Sequence, residues 1–320
     1  MISNSGIELS VVVPVFNERD NIGEFLHRVL PILIKNTNSY EIIFAVDPST
    51  DGTEEYIGAA ADLNSNIKML NFSRRFGQPT ATLAGLDFCL GHAAIVMDVD
   101  LQDPPELIPE LLSKWKEGFA VVYAKRRQRD GETWLKKLTA KIGYGLIDKF
   151  ADVKIPRDTG DFRLLDRKVI DELKRFPETH GFLRGLVALV GYEQTEVLFD
   201  RPARYSGNGN YNRFFGSIKI GLNGVIGFSS ALLNLSTIFG FAAAVISFFL
   251  GISYAVLQIF GQSFPIGNPT IVASVFFIGG LQLICLGIIG QYIGRIYDEV
   301  KRRPRYIVAK SKGLTTHRDQ

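Results

Sequence analysis

Asp98 and Asp100, separated by Val99, have the chemistry and spacing to hold a metal ion. Two carboxylates one residue apart repel unless a cation sits between them. Hard oxygen ligands suit Mg²⁺ or Mn²⁺, which carry substrate phosphates on their remaining positions. The Gln102 amide can add a third oxygen. Acidic pairs are also common in turns, so position decides what this one means. The apolar residues 93–97 read as a short buried parallel strand. Asp103-Pro104-Pro105-Glu106 reads as a helix start, with Asp103 as N-cap, Pro104 at the first helical position and Glu106 at the third. The acidic pair therefore stands at the carboxyl end of a strand, where open α/β sheets bind ligands.

Other candidates sit at similar places. Residues 8–15 form a Val-rich first strand, and Pro14 requires it to finish there. Phe16 and Glu18 lie in the loop that follows, before an amphipathic helix over 21–33. A second strand over 41–46 leads to Asp47 and then to Asp51-Gly52-Thr53. That triplet suits helix capping as well as ligand contact, and Asp47 suits both roles equally. A third strand over 67–71 precedes Arg74, Arg75 and Gln78, where at least one arginine is placed for phosphate contact. A fifth strand over 119–124 ends in Lys125-Arg126-Arg127-Gln128-Arg129, a run that phosphates or lipid headgroups would satisfy. A helix is expected over 134–150. Asp158, Asp161 and Arg163 then surround Gly160, and a short helix over 182–190 and a strand over 192–198 follow. Residues 201–211, with Arg201 and Arg204, form a glycine-rich loop. Strand alternating with helix at this regularity makes a doubly wound α/β domain with a mixed sheet.

The 320 residues carry a net charge of only +3, which gives no argument for nucleic acid. Between Lys219 and Arg295 there is no Asp, Glu, Lys, Arg or His. Two apolar stretches fit inside, residues 232–259 and 269–293, each beyond the ~20 residues that cross a bilayer. Residues 213–228 are suited to lie in the headgroup plane as an amphipathic helix. Met1 opens a segment without a signal-peptide pattern. Cys89 and Cys285 fall on different elements and form no disulfide framework.

The motifs Val13-Pro14-Val15-Phe16-Asn17-Glu18, Asp47 with Asp51-Gly52-Thr53, Arg75-Phe76-Gly77-Gln78, Asp98/Asp100/Gln102 and Gly160-Asp161-Phe162-Arg163-Leu164 occur in an order that resembles family 2 glycosyltransferases of the GT-A fold. More narrowly, the chain resembles the polyisoprenyl-phosphate glycosyltransferases, the dolichol-phosphate mannose synthase and bactoprenol glucosyltransferase group. The resemblance implies a GT-A (Rossmann-like) nucleotide-sugar domain with a mixed sheet over 1–212. It further implies an interfacial amphipathic helix over 213–231, two transmembrane helices over 232–294 and a basic cytoplasmic tail over 295–320. It assigns Pro14, Phe16, Glu18, Asp47, Arg75, Gln78 and Asp98 to the nucleotide sugar, and Asp98, Asp100 and Gln102 to Mg²⁺ or Mn²⁺. Arg126, Arg163 and Arg204 go to the lipid phosphate. Asp158, Asp161 and Arg163 are the candidate catalytic residues, with either aspartate able to serve as base or brace. Asn210 stands before Tyr211 where the family commonly has lysine, a departure at the position of one expected cationic phosphate contact.

The reaction implied is inverting transfer of a hexose, glucose from UDP-glucose, to a polyprenyl phosphate. GDP-mannose or a UDP-amino-arabinose are the alternative donors, and an inactive membrane scaffold is the rival from another class. Basic residues flank both ends of the uncharged region, so the positive-inside rule places both termini in the cytoplasm, and the resemblance implies the inner membrane. Gly290 and Gly294 serve either as ordinary helix glycines or as a close contact within a homo-oligomer.

Overall fold

The computed structural model describes residues 6–127, 159–176, 178, 183–202, 205–206, 231–261 and 269–314. Asp158, Arg204 and the expected helices over 134–150 and 213–228 lie outside the described residues.

The first half is a parallel sheet of β1 (Leu9–Val15), β2 (Tyr40–Val46), β3 (Ile67–Phe72) and β4 (Ala93–Val96). β1 lies between β2 and β4, in a register that levels Val15 with Val46 and Val12 with Val96. These strands are buried along almost their whole length, as continuous apolar runs covered on both faces must be. The covering elements are α1 (Arg19–Asn36), α2 (Thr53–Leu63) and α3 (Gln78–Phe88). On α1 the buried residues Ile22, Phe25, Leu26, Val29 and Leu33 recur at three- and four-residue spacing and make one apolar stripe. On α3 a Cβ at Gly85 would stand 2.3 Å from Val12 Cγ1, so only glycine lets this helix sit so close to β1.

The sheet becomes mixed beyond β4. β6 (Thr159–Asp166) runs antiparallel to both β4 and β5 (Val121–Arg126), and β7 (Gln194–Phe199) adds parallel to β5. The helices α4 (Ile108–Lys116), α5 (Arg167–Arg175) and α6 (Leu183–Val190) complete the layers. The full order is β7-β5-β6-β4-β1-β2-β3-β8, where β8 (Val308–Lys312) is antiparallel to β3.

Three sequence expectations need correction. Asp103 does not cap a helix: a single 3₁₀ turn spans Pro105–Leu107, and the Asp103 carboxylate accepts the Asp98 N–H at 3.1 Å. The fifth strand does not stop before the basic run, because Lys125 and Arg126 are strand residues, and Lys125 pairs with Glu196 of β7 at 2.9 Å. The stretch expected as a tail contributes β8, at the far edge of the sheet.

At the end of the sheet remote from the acidic pair, Glu41 is wholly buried. It accepts hydrogen bonds from Ser10 Oγ, the Leu90 N–H and Lys68 Nζ, all at 2.6 Å. A buried carboxylate holds its charge only with donors of this kind around it.

After these layers come α7 (Ala231–Ile259) and α8 (Pro269–Val300). Both are long and apolar enough to cross a membrane. Many of their large side chains, among them Phe241, Phe248, Phe276 and Leu283, are more than half exposed in the isolated chain.

Candidate active site

The strand order reverses at β1, which pairs with β2 on one side and β4 on the other. A crevice opens at such a switch point, outside the carboxyl ends of the strands. Phe16, Asp47 and Asp98 all follow these ends closely.

The β4 end supplies the acidic centre. Leu101, between Asp100 and Gln102, has φ +61°. This left-handed residue turns the chain so that the Gln102 N–H bonds Asp100 Oδ1 at 3.1 Å. Gln102 is thereby held beside the acidic pair through its backbone. Asp100 and Asp103 are buried, and Asp98 is half-buried. Burial pushes the Asp98 carboxyl well above the carboxylate range, and the neighbouring Asp103, Asp100 and Asp161 push it further. Asp103 is raised to about 6, chiefly by burial, with Asp100 adding to the effect. The nearby positive charges include Arg201 and Arg126. Among the described residues no three acidic, histidine or cysteine side chains form a ready-made metal cage. What the chain offers fits a cation that takes few protein oxygens and leaves other positions to substrate phosphates, as Mg²⁺ does. The mutual repulsion of these carboxylates is itself the condition that a cation relieves.

Asp47 is buried and occupied. Its Oδ1 accepts the Phe76 N–H at 2.9 Å and its Oδ2 the Gly77 N–H at 2.8 Å. Gly77 has φ +90°, a conformation open to glycine, which lets two successive amides face one carboxylate. Asp47 thus anchors the β3–α3 loop. From that loop Arg75 stacks its guanidinium 3.8 Å above the Phe16 ring, and Gln78 Nε2 donates to Asp98 Oδ1 at 2.8 Å. Phe16, Asp47, Arg75, Gln78 and Asp98 therefore form one connected group.

Pro14 and Glu18 are placed differently. Pro14 is buried within β1 opposite Ala45, so it shapes the strand end without presenting a ring face. The Glu18 carboxylate accepts from Asn21 Nδ2, and its N–H bonds Thr53 Oγ1 at 3.1 Å. Asp51 accepts from Thr53 at 2.6 Å and from the Arg19 N–H at 3.1 Å. The Asp51-Gly52-Thr53 motif therefore ties two loops together, with Gly52 at φ +86° starting α2.

Across the crevice, β6 brings Asp161 and Arg163 beside β4, with Arg163 level with Val96. Arg163 is almost wholly buried, and one Nη donates to the Gly160 carbonyl at 2.7 Å. Burial lowers its pKa to about 10, against the pull of Asp161. Its Nε has no partner among the described residues. Asp161 accepts from Arg184 Nε at 3.0 Å. Burial alone would raise its pKa, but Arg184, Arg163 and Arg126 outweigh it and hold the carboxylate ionised. The Arg126 guanidinium lies 3.6 Å from where a Cβ on Gly160 would stand, so the glycine leaves it room.

Sequence reasoning passed over two contributors. Asp103 is read naturally as a helix cap because two prolines follow it. Residues 205 and 206 close over the crevice, the Tyr205 N–H meeting the Asp100 carbonyl at 3.3 Å and Asn21 Nδ2 the Ser206 carbonyl at 3.4 Å. No local pattern announces either contact.

Comparison with known proteins agrees with this geometry. Residues 10–174 match the family described as Glycosyl transferase family 2. An uncharacterized glycosyltransferase of Synechocystis sp. is 44% identical over 310 residues, covering 96% of both chains. The SfII prophage-derived bactoprenol glucosyl transferase of Shigella flexneri is 40% identical over 308 residues, covering 95% of this chain and 98% of that one. A prophage bactoprenol glucosyl transferase homolog of Escherichia coli is 38% identical over 308 residues, covering 96% and 100%. With its mixed sheet and strand-end acidic pair in the GT-A arrangement, and with relatives that match from end to end, this chain belongs to glycosyl transferase family 2.

Proposed function

We propose that this protein transfers glucose from UDP-glucose to a polyprenyl phosphate at the cytoplasmic face of the inner membrane, with inversion at the anomeric carbon. The observation that carries the reading is identity near 40% along almost the entire chain, apolar helices included, to proteins named bactoprenol glucosyl transferase. The site supports it by joining a cation-seeking carboxylate group to a buried arginine group across one crevice.

Phe16 and the loop pinned by Asp47 receive the nucleoside, with Arg75 moving between the Phe16 ring and phosphate. Asp98 and Asp100, with Gln102 beside them, would hold Mg²⁺ or Mn²⁺, which supplies charge neutralisation for the departing diphosphate. Arg163 and Arg126 orient the acceptor phosphate for in-line attack, the Arg163 Nε being available to an anion. Arg204 and Asp158 retain the roles implied by the resemblance. An acceptor phosphate is already anionic at neutral pH, so a strong base is unnecessary. Asp161, held ionised by three arginines, is too weak a base for that task and serves to brace Arg163 and Arg184.

α7 and α8 cross the bilayer. At 1.5 Å per residue, the 29 residues of α7 exceed the ~30 Å hydrocarbon layer. The pairing of β8 with the catalytic sheet supports a chain that returns to the catalytic side after α8. The test is purified full-length protein with undecaprenyl phosphate and a panel of UDP- and GDP-sugars, with and without EDTA. UDP-glucose should be the productive donor, EDTA should abolish transfer, and Asp100→Asn should lower turnover by orders of magnitude without unfolding the protein. Transfer from GDP-mannose or a UDP-amino-arabinose but not from UDP-glucose would overturn the donor assignment. Full activity of Asp100→Asn in EDTA would overturn the metal assignment.

A further inference from the structure

The chain leaves α8 through a sharp turn. Arg302 has φ +47°, its N–H bonds the Glu299 carbonyl at 3.1 Å, and Pro304 ends any continuation of the helix. Residues 305–314 then run along the edge of β3, and β8 pairs Met69 with Lys312 and Phe72 with Val308. The pairing has a bulge between Asn71 and Phe72, where β3 ends and the donor-side loop begins. The Ser73 N–H, the first of that loop, bonds the Ile307 carbonyl at 3.0 Å.

Tyr306 fills the space beside this bulge. Its hydroxyl donates to Asp87 Oδ2 on α3 at 2.9 Å, and its ring lies 5.9 Å from Phe72 and 6.4 Å from Phe88. Phe72 in turn meets Phe76 edge-to-face at 6.0 Å. Phe72, Phe76 and Tyr306 form one small cluster with Ala45, Ala81, Ala84 and Val308, while Phe88 and Val308 also pack against one of the main cores. Phe76 is the residue whose amide reaches Asp47, and it stands between Arg75, stacked on Phe16, and Gly77, whose amide also reaches Asp47. From Tyr306 to the crevice there is thus an unbroken line of packed rings and hydrogen bonds.

We propose that Tyr306, delivered by the chain as it returns from the second apolar helix, is a positioning residue for the donor-side loop over 73–78. The donor pocket takes its competent shape only when the return segment is docked on β3. The loop itself carries too little apolar burial to hold this shape: Ser73, Arg74, Arg75 and Gln78 are exposed, and Phe76 is only half-buried. The docking of residues 305–314 supplies what the loop lacks. Docking of the return segment and order in the donor loop are therefore coupled through one short edge strand. The donor half of this inference rests on the proposed nucleotide-sugar activity, and the loop half does not.

The experiment uses full-length protein in detergent or nanodiscs, comparing Tyr306→Phe, Tyr306→Leu and Tyr306→Ala. Amide hydrogen exchange is measured without donor, and donor KM and kcat are measured with UDP-glucose. Loss of the ring should raise exchange at residues 73–77 while α1, α4 and β6 keep native protection. KM should rise about ten-fold with kcat within about two-fold, because a smaller fraction of loops is competent to bind. Tyr306→Phe should restore both readouts, since it keeps the ring contacts. If Tyr306→Ala fails to fold, Tyr306→Leu carries the test, as it fills most of the volume without an aromatic face. Native exchange at 73–77 together with native KM in the leucine or alanine variant overturns the proposal. So does a fall confined to kcat, or exchange raised uniformly across the catalytic domain. If the native protein does not use UDP-glucose, that activity assignment fails, and the exchange measurement alone still decides the role of Tyr306.

Discussion

The acidic cluster offers a sharp quantitative test through Asp103, the carboxylate that sequence alone places on a helix. Its pKa rises from 3.8 to about 6 on folding, mainly through burial and then through Asp100. The folded protein therefore binds more protons than the unfolded chain between these values. Stability is fully present below the unfolded pKa and is lost as pH rises through the folded one. A rise of this size corresponds to about 3 kcal/mol, lost between about pH 4 and pH 7 in protein without metal. At 2–4 °C per kcal/mol for a domain of this size, the melting temperature in EDTA should fall by about 6–12 °C over that interval on account of Asp103. Asp103→Asn keeps an oxygen that can accept the Asp98 N–H and removes the titrating charge. The variant should lose less, because only the burial-raised Asp98 then still titrates in the cluster, and its metal-free form should be the more stable one at neutral pH. Excess Mg²⁺ or Mn²⁺ should flatten the native profile, because a bound cation favours the ionised carboxylates. Trp115 gives a built-in signal, since its indole N–H bonds Asp166 at 2.7 Å in the catalytic sheet. Thermal melts followed by Trp fluorescence across the pH range make the measurement. Equal losses in native and variant protein would refute the reasoning that Asp103 belongs to a repulsive cluster awaiting a cation.

Two further predictions concern stability and topology. Glu41→Ala strands Lys68, Ser10 Oγ and the Leu90 N–H without their shared acceptor, and should cost about 3–5 kcal/mol in urea unfolding. A cost below about 1 kcal/mol would mean that water replaces the carboxylate there. For topology, a cysteine at Ser263, between the apolar helices, should react with an impermeant maleimide in intact cells, while one at the exposed Ser65 of the catalytic domain should react only after lysis. The reverse pattern would invert the proposed orientation.

The parts of this protein that were legible in its sequence share one property: their signal is local. Strands β1 to β4 declare themselves as short apolar runs bounded by turn formers, since burial on both faces excludes polar residues from each position. Residues 220–294 declare two long apolar helices, because a stretch so long without one Asp, Glu, Lys, Arg or His has no comfortable place in water. Asp98 and Asp100 were placed at a strand end by the residues immediately before them. The helix-start reading of Asp103 failed for the complementary reason. The local pattern of aspartate, proline, proline and glutamate is that of a cap, but the backbone N–H of Asp98 competes for the same carboxylate, and only the folded turn at Leu101 brings the two together.

The sequence by itself determined the chemistry available: oxygen ligands for a cation, arginines for phosphate, and apolar length for a bilayer. Tertiary structure alone decided how these were allotted. It turned Asp47 inward onto two loop amides, buried Arg163 beside β4, and made Asp161 a brace by surrounding it with arginines. It also converted Val308–Lys312 into a strand. That segment, Val-Ala-Lys-Ser-Lys, has little apolar alternation and not one fully buried residue. The open hydrogen-bonding edge of β3 is what orders it, and an edge more than two hundred residues away leaves no mark on the local sequence.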